Sequence, residues 1–144
     1  MKKLHLFIIL FILAAFFKGN AQSSSTFSVM GAKKSQDSLI GITQCKLALS
    51  IKLTNVSSIK SIQYYILNQA DSVIHVFNRI DLMQHANGFY YFMDSNNKRF
   101  TLFNDELNIA EIINSSYFNN IKKVKVEMKD VGNNLTTSNT VVSQ

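Results

Sequence analysis

Apolar and polar residues alternate with a period of two in two stretches of the chain. Within residues 45–53 every odd position is apolar, while lysine, alanine and serine occupy the even positions. Within residues 122–130 the apolar positions are Val124, Val126 and Met128, and lysines and a glutamate lie between them. Because successive side chains of a strand point to opposite faces, both stretches are predicted to be strands with one buried and one solvated face.

Shorter apolar runs of strand length fill the intervals, and Asn, Asp, Ser or Gly residues separate them. They lie at residues 27–30, 59–67, 73–77, 88–93, 99–103 and 135–142. The last run follows a turn that contains Gly132 and Asn133, residue types that accept a positive φ at low cost. We therefore expect this run to form a hairpin with residues 122–130.

Two segments depart from the strand pattern. Residues 105–117 carry apolar side chains at helical spacing, and Asp105 and Glu106 at their start would complement the dipole of a helix. The segment is therefore predicted to be a short helix. Residues 81–86 fit either one helical turn or a loop, and the pattern does not choose between them.

About seven short strands with one short helix predict a mainly β fold, a single antiparallel β-sandwich, with a small barrel as the alternative. Residues 122–130, the Gly132-Asn133 turn and the Thr/Ser-rich return at residues 136–142 resemble the last two strands of bacterial immunoglobulin-like or fibronectin type III-like modules. The resemblance implies an immunoglobulin-like architecture and a role in adhesion, spacing or partner docking. We expect the interior of the domain to be wholly apolar.

The first 21 residues have the character of a targeting segment. A lysine-rich start precedes an apolar run of 12 residues from Leu6 to Phe17, and small residues follow at Gly19 and Ala21. This pattern predicts a signal peptide helix, residues 1–21, that is cleaved between Ala21 and Gln22 and leaves a domain of residues 22–144. The run is shorter than the roughly 20 residues that span a bilayer, so we expect no stable membrane anchor after cleavage.

The targeting segment also resembles the signal peptides of Bacteroidetes bacteria, which implies export to the periplasm, the outer membrane or the extracellular space. Three of the 15 lysines and arginines lie in this segment, so its removal lowers the formal net charge from +6 to +3. A charge of this size does not favour nucleic acid as a partner.

The chain carries few residue patterns that are typical of a catalytic or metal site. Its glycines are scattered, so no phosphate-binding loop is indicated. His75, Asp81 and His85 are the best metal or acid–base candidates, but their spacing matches no familiar set of ligands. Cys45 shares the parity of the core-facing positions around it, and we expect a buried, unreactive thiol. We therefore predict no catalytic residue, no metal and no cofactor.

Two pairs of adjacent tyrosines are the candidate binding residues. Tyr64-Tyr65 and Tyr90-Tyr91 each place one ring on either face of a strand, so one ring of each pair must pack under a loop or stand in solvent. Exposed rings can form a protein-docking or sugar-stacking platform. Ser38 and Ser72 each follow an aspartate and precede an apolar residue, which resembles the O-glycosylation pattern of Bacteroidetes exported proteins.

These observations favour a non-enzymatic module that makes protein–protein contacts within a bacterial cell-envelope or secreted assembly. A small glycan- or ligand-binding domain that uses the exposed tyrosines is the alternative. An exported hydrolase with a site around His75, Asp81 and His85 is a third hypothesis.

Overall fold

A computed structural model of the chain describes residues 24–39 and 42–144. The predicted signal peptide and its cleavage site at Ala21 and Gln22 lie outside the described residues. Within them, no helix is long and apolar enough to cross a membrane. Two short 3-10 helices, Val56–Ser58 and Ser115–Asn120, accompany ten strands. The strands are β1 (Thr26–Leu39), β2 (Ile42–Thr54), β3 (Ile59–Leu67), β4 (Val73–Val76), β5 (Ile80–Gln84), β6 (Tyr90–Asp94), β7 (Arg99–Phe103), β8 (Glu106–Ile113), β9 (Lys123–Asp130) and β10 (Leu135–Ser143).

Nine of the ten described strands form a closed ring. The order round the ring is β3-β5-β6-β7-β8-β2-β1-β10-β9, and β9 pairs again with β3. The remaining strand, β4, pairs with the last residues of β3. The prediction of a seven-strand, immunoglobulin-like sandwich is therefore wrong, because hydrogen bonding passes round the whole ring instead of stopping at the edges of two separate sheets.

Every strand of the ring except β10 contributes fully buried side chains to the barrel interior, and the half-buried Val142 of β10 packs against them. The odd positions of residues 45–53 point inward, as the alternation predicts, and Cys45 is buried among them. The inward residues with no exposed surface at all are Ile51, Ile62, Ile66, Ile80, Phe92, Leu107, Val124 and Val126. Since these belong to six different strands, the core lies along the axis of the barrel.

A β-bulge in β1 explains why only its first part was predicted. The pairing of β1 with β2 shifts register between Val29 and Gly31. Before the bulge the inward positions are Phe27 and Val29, whereas after it they are Ala32 and Lys34. The extra residue breaks the period-two pattern, so a 14-residue strand presents only four residues of recognisable alternation.

The predicted helix at residues 105–117 is wrong. Asn104 and Asp105 form a tight turn with φ of 49° and 60°, and β8 follows at once. Leu107 and Ile109 of β8 point inward with a period of two. The pairing of β8 with β2 therefore determined the conformation, and the helical spacing of the apolar residues did not. Residues 81–86, which fitted a helical turn or a loop, begin in β5 and end in the turn that follows it.

The interior is not wholly apolar, which corrects a second expectation. The buried Tyr64 of β3 donates its hydroxyl proton to Oε1 of Glu111 at 2.6 Å, and Oε2 of Glu111 lies 2.7 Å from Nζ of Lys98. Burial and the Glu111 carboxylate raise the pKa of Tyr64 well above its ordinary value, so the phenol stays protonated. This network joins strands on opposite sides of the barrel.

Lys34 is a second buried polar residue with its side chain inside the barrel. Its Nζ donates to the carbonyl oxygens of Phe118 and Ile121 at 2.8 and 3.3 Å, and it lies 4.8 Å from the centre of the Phe118 ring. Burial, followed by the charge of Lys122, lowers the pKa of this amine. The contact ties the Ser115–Asn120 3-10 helix to the barrel wall.

The two ends of the barrel differ. At one end, the turn end, lie the 3-10 helix Val56–Ser58 and the turns at residues 85–89, 104–105 and 131–134. At the opposite end, β1 and β2 continue as a two-stranded hairpin past Ile113, where β8 stops. The turn end carries the candidate site.

Candidate functional site

A cleft of about 400 Å³ opens at the turn end of the barrel. Apolar and aromatic residues form most of its lining, and two polar residues of the β7–β8 turn complete it. The lining residues are Val56, Gly88, Phe89, Tyr90, Leu102, Phe103, Asn104 and Asp105. We call this feature the aromatic cleft, because two phenylalanines and a tyrosine line it.

The turn between β5 and β6 fixes the position of Phe89. The backbone N–H of His85 donates to the carbonyl of Phe89 at 2.8 Å, and that of Gly88 donates to the carbonyl of His85 at 2.9 Å. Gly88 has φ of +89°, a conformation that side chains disfavour. Phe89 emerges from this hydrogen-bonded turn with 71% of its surface exposed.

The turn between β7 and β8 presents the second phenylalanine. Asn104 and Asp105 both have positive φ, as in the two-residue turns that suit the twist of a β-hairpin. The N–H of Leu53 donates to the carbonyl of Asp105 at 2.8 Å, and Nζ of Lys52 donates to the carbonyl of Asn104. These contacts hold the turn against β2 and leave Phe103 75% exposed.

The rings of Phe89 and Phe103 are unusually exposed, because phenylalanine is a residue type that generally packs in the core. Phe92 of β6 and Phe100 of β7, three residues from Phe89 and Phe103 respectively, are buried in the barrel, so the core does accommodate phenylalanine on these strands. Val131 and Leu135 at the β9–β10 turn add two more exposed apolar side chains at the turn end. Phe89 and Phe103 share one cleft, and exposed apolar side chains grouped in this way are typical of a contact site.

The tyrosines predicted to form a binding surface divide into four different environments. Tyr64 is buried and stacks on Phe77, with ring centres 4.8 Å apart, so it is a core residue. Tyr90 is half-buried and lines the aromatic cleft, and it is the one predicted tyrosine that the structure brings to this site.

Tyr65 lies on the outer surface in a closed polar cluster. Its hydroxyl donates to Glu127 at 2.8 Å, and Nζ of Lys125 lies 4.3 Å from the ring centre and 2.8 Å from Glu127. Burial and the hydrogen bond to Glu127 raise the pKa of Tyr65 to about 12. Although burial opposes ionisation of Glu127, the hydrogen bonds from Lys125 and Tyr65 outweigh it and lower the pKa of Glu127.

Tyr91 lies on the outer face of β6 between two side chains that cover its ring. The His85 ring centre lies 4.3 Å from that of Tyr91, and the guanidinium carbon of Arg99 lies 5.2 Å away. Tyr90 and Tyr91 therefore face different surfaces, so the two do not form one platform.

His75, Asp81 and His85 have different neighbours. His75 contacts Phe77 and Tyr117, His85 stacks on Tyr91, and Asp81 is paired with Arg79 through an Nε to Oδ1 distance of 2.9 Å. In the described part of the chain, no three His, Cys, Asp or Glu residues form a metal-binding group. The three side chains therefore take part in three separate sets of contacts.

Both serines predicted to carry a glycan are exposed. Ser38 lies in β1 and its Oγ is 3.2 Å from Oγ1 of Thr43, whereas Ser72 ends the turn between β3 and β4. Modification of Ser38 and Ser72 stays a prediction.

The sequence pattern does not identify Phe89 and Phe103 as site residues. It places Phe89 within one predicted strand and Phe103 at the end of another, so it predicts a position in a sheet for both. A signal was present, since each phenylalanine is next to a turn residue, Gly88 or Asn104, where an apolar side chain has no strand neighbour to cover it.

Comparison with known proteins assigns the chain to no group: no protein-family model, curated protein or solved structure matches it.

Proposed function

We propose that the protein is an exported, non-enzymatic barrel that makes protein–protein contacts in a cell-envelope or secreted assembly, and that the aromatic cleft is the contact site. The exposure of Phe89, on the hydrogen-bonded β5–β6 turn, and of Phe103, at the end of β7, supports this proposal most strongly. Interface hot spots are typically a few aromatic side chains held in place before the partner arrives.

The energetics fit a binding site. Burying one large apolar side chain contributes roughly 1.5–3 kcal/mol, so two phenylalanines covered by a partner would supply roughly 3–6 kcal/mol before the costs of association. Lys52 and Asp105 beside the cleft place one charge of each sign at its rim, which suits the polar border of a protein interface.

The test is affinity isolation of the tagged protein from the envelope of the organism that encodes it, followed by quantitative mass spectrometry. The double variant Phe89→Ser/Phe103→Ser should lose the partner at least tenfold. The matched control is Val73→Ser/Val76→Ser, which removes two exposed apolar side chains of β4, outside the turn end. Equal recovery of the same partner with all three proteins would refute the proposal.

A small glycan or other ligand is the second candidate, because Tyr90 lies in the cleft beside the polar residues Asn104 and Asp105. An aromatic ring next to hydrogen-bonding groups is an arrangement that can hold a sugar. Binding to a glycan array that is lost in Tyr90→Ala but kept in Tyr91→Ala would support this candidate. Equal binding by both variants would contradict it.

A further inference from the structure

The ring of described strands contains one pairing that differs from all the others. Every neighbouring pair in the ring is antiparallel except β1 and β10, which run parallel. A ring with an odd number of strands must contain such a pair, because directions can alternate all the way round only when the number is even. One more strand between β1 and β10, running opposite to both, would make every pairing antiparallel.

The same two strands are joined over only a short length. Their ladder contains two residue pairs, Ala32 with Val142 and Lys33 with Ser143. By contrast, β1 pairs with β2 over 13 residue pairs, and β10 pairs with β9 over seven. Six residues of β1 and seven of β10 precede the ladder, and in the described structure they have no partner across the seam.

The inner lining of the barrel is also incomplete along this seam. Phe27 and Val29 of β1 point inward but are only half-buried, although they pair with the fully buried Leu53 and Ile51 of β2. On β10 the inward positions include Ser138 and Thr140, which are half-buried too, whereas their β9 partners Val126 and Val124 have no exposed surface. The inward positions on both sides of the seam are therefore less covered than the residues with which they pair.

We propose that the seam between β1 and β10 receives an extended segment of a partner protein, which adds a tenth strand to the ring. Two unpaired strand edges that face each other present backbone N–H and C=O groups on both sides, and extended backbone is the ligand that satisfies them. The segment runs antiparallel to β1 and β10, the orientation with the more stable pairing. This inference rests on the proposed contact function but uses a different surface from the aromatic cleft.

The lining sets the chemistry of the inserted strand. The free edges of residues 26–31 and 135–141 accommodate a segment of about six residues. Its inward side chains meet Phe27 and Val29 on one side and Ser138 and Thr140 on the other, so small apolar residues fit there. Its outward side chains face solvent and are polar.

A synthetic peptide serves as the probe, with valine and threonine alternating between a lysine at each end. Binding to the intact protein is measured by calorimetry and by amide hydrogen exchange. We expect the peptide to slow exchange at least tenfold at those amides of residues 26–31 and 135–141 that do not donate to β2 or β9. Slow exchange of these seam-facing amides in the protein alone would show that the seam is already filled and would overturn the proposal.

Two controls separate strand insertion from adhesion to an apolar surface. A peptide with the same side chains but N-methyl groups at alternate residues cannot donate backbone protons to one edge, so its affinity should fall at least tenfold. Val29→Lys, at an inward seam position, should abolish binding, while Val141→Lys, on the exposed outer face of β10, should leave it unchanged. Equal affinity of the two peptides, or no binding of the unmodified one, would overturn the inference.

The outcome is independent of the test of the aromatic cleft. Phe89→Ser/Phe103→Ser should bind the peptide with unchanged affinity, because both phenylalanines line the aromatic cleft, outside the β1–β10 seam. Loss of the partner in that variant with unchanged peptide binding would place two separate contacts on the barrel. Peptide binding that fails in the wild-type protein while the partner is still recovered would remove the seam and leave the contact function standing.

Discussion

Substitution of Tyr64 by phenylalanine provides a sensitive test of the polar network inside the barrel. The change removes one oxygen atom and keeps the ring that stacks on Phe77. It deletes the 2.6 Å hydrogen bond to Glu111, whose other oxygen pairs with Lys98. A hydrogen bond to a charged group contributes roughly 1.5–3 kcal/mol, and we expect the free energy of unfolding to fall by about that amount.

Tyr65→Phe is the matched control, because the neighbouring residue also donates its hydroxyl proton to a glutamate, at 2.8 Å from Glu127. That contact lies on the outer surface, where water can replace it, so the loss should stay below about 1 kcal/mol. The two variants differ by one position in sequence and by the side of the barrel wall on which the hydroxyl lies.

The assay is urea unfolding, monitored by far-ultraviolet circular dichroism. The free energy of unfolding should depend on urea concentration with the same slope in each variant, which shows that the unfolded states are comparable. The midpoint of thermal unfolding should fall by roughly 6–12 °C for Tyr64→Phe. A double-mutant cycle with Glu111→Gln should give a coupling of about 1 kcal/mol or more. If Tyr64→Phe costs no more than Tyr65→Phe, the buried network does not stabilise the barrel as reasoned here.

Three further predictions follow from burial and charge. Phe92→Ala empties a fully buried site and should lower the free energy of unfolding by about 3–5 kcal/mol. Phe103→Ala, at an exposed site, should change it by less than about 0.5 kcal/mol. Similar losses for the two variants in urea unfolding would contradict the assignment of Phe103 to a contact surface. Hydrogen bonds lower the folded-state pKa of Asp94 and Glu127 below their ordinary values of 3.8 and 4.5. The stabilisation is therefore present above those values, and stability should fall as the pH drops below them and the folded-state carboxylates become protonated. A Glu127→Gln variant that keeps the full pH dependence would exclude Glu127 as a contributor. Lys34→Met removes the hydrogen bonds from the buried amine to Phe118 and Ile121, so it should speed amide hydrogen exchange in the Ser115–Asn120 3-10 helix. Lys33→Met is the control. Equal exchange rates in the two variants would show that the buried amine does not hold this segment.

The alternation of side chains was sufficient to predict several strands. Residues 45–53 lie within β2, the predicted stretch 122–130 contains β9 (Lys123–Asp130), and the hairpin of β9 with β10 forms as its Gly-Asn turn indicates. Cys45 is buried on the predicted face. These features are local, since a period of two and a turn residue suffice to specify them.

Local patterns were misleading where pairing with a distant strand decided the conformation. Residues 106–113 have apolar positions that fit both a helix and a strand, and the pairing of β8 with β2 selected the strand. The bulge at Met30 changes the inward positions of β1 from odd to even residue numbers. Lys34 therefore points into the barrel, whereas uninterrupted alternation would place it on the outer face.

The sequence by itself determined which face of most strands is buried, because that choice depends only on where apolar side chains fall. It did not determine the neighbours of each strand, since a sandwich and a barrel bury the same faces. Tertiary structure decided the pairing of β3 with β9 that closes the ring, the parallel seam between β1 and β10, and the exposure of Phe89 and Phe103 at one end. Each of these depends on contacts between residues far apart in the chain, which period and composition do not encode.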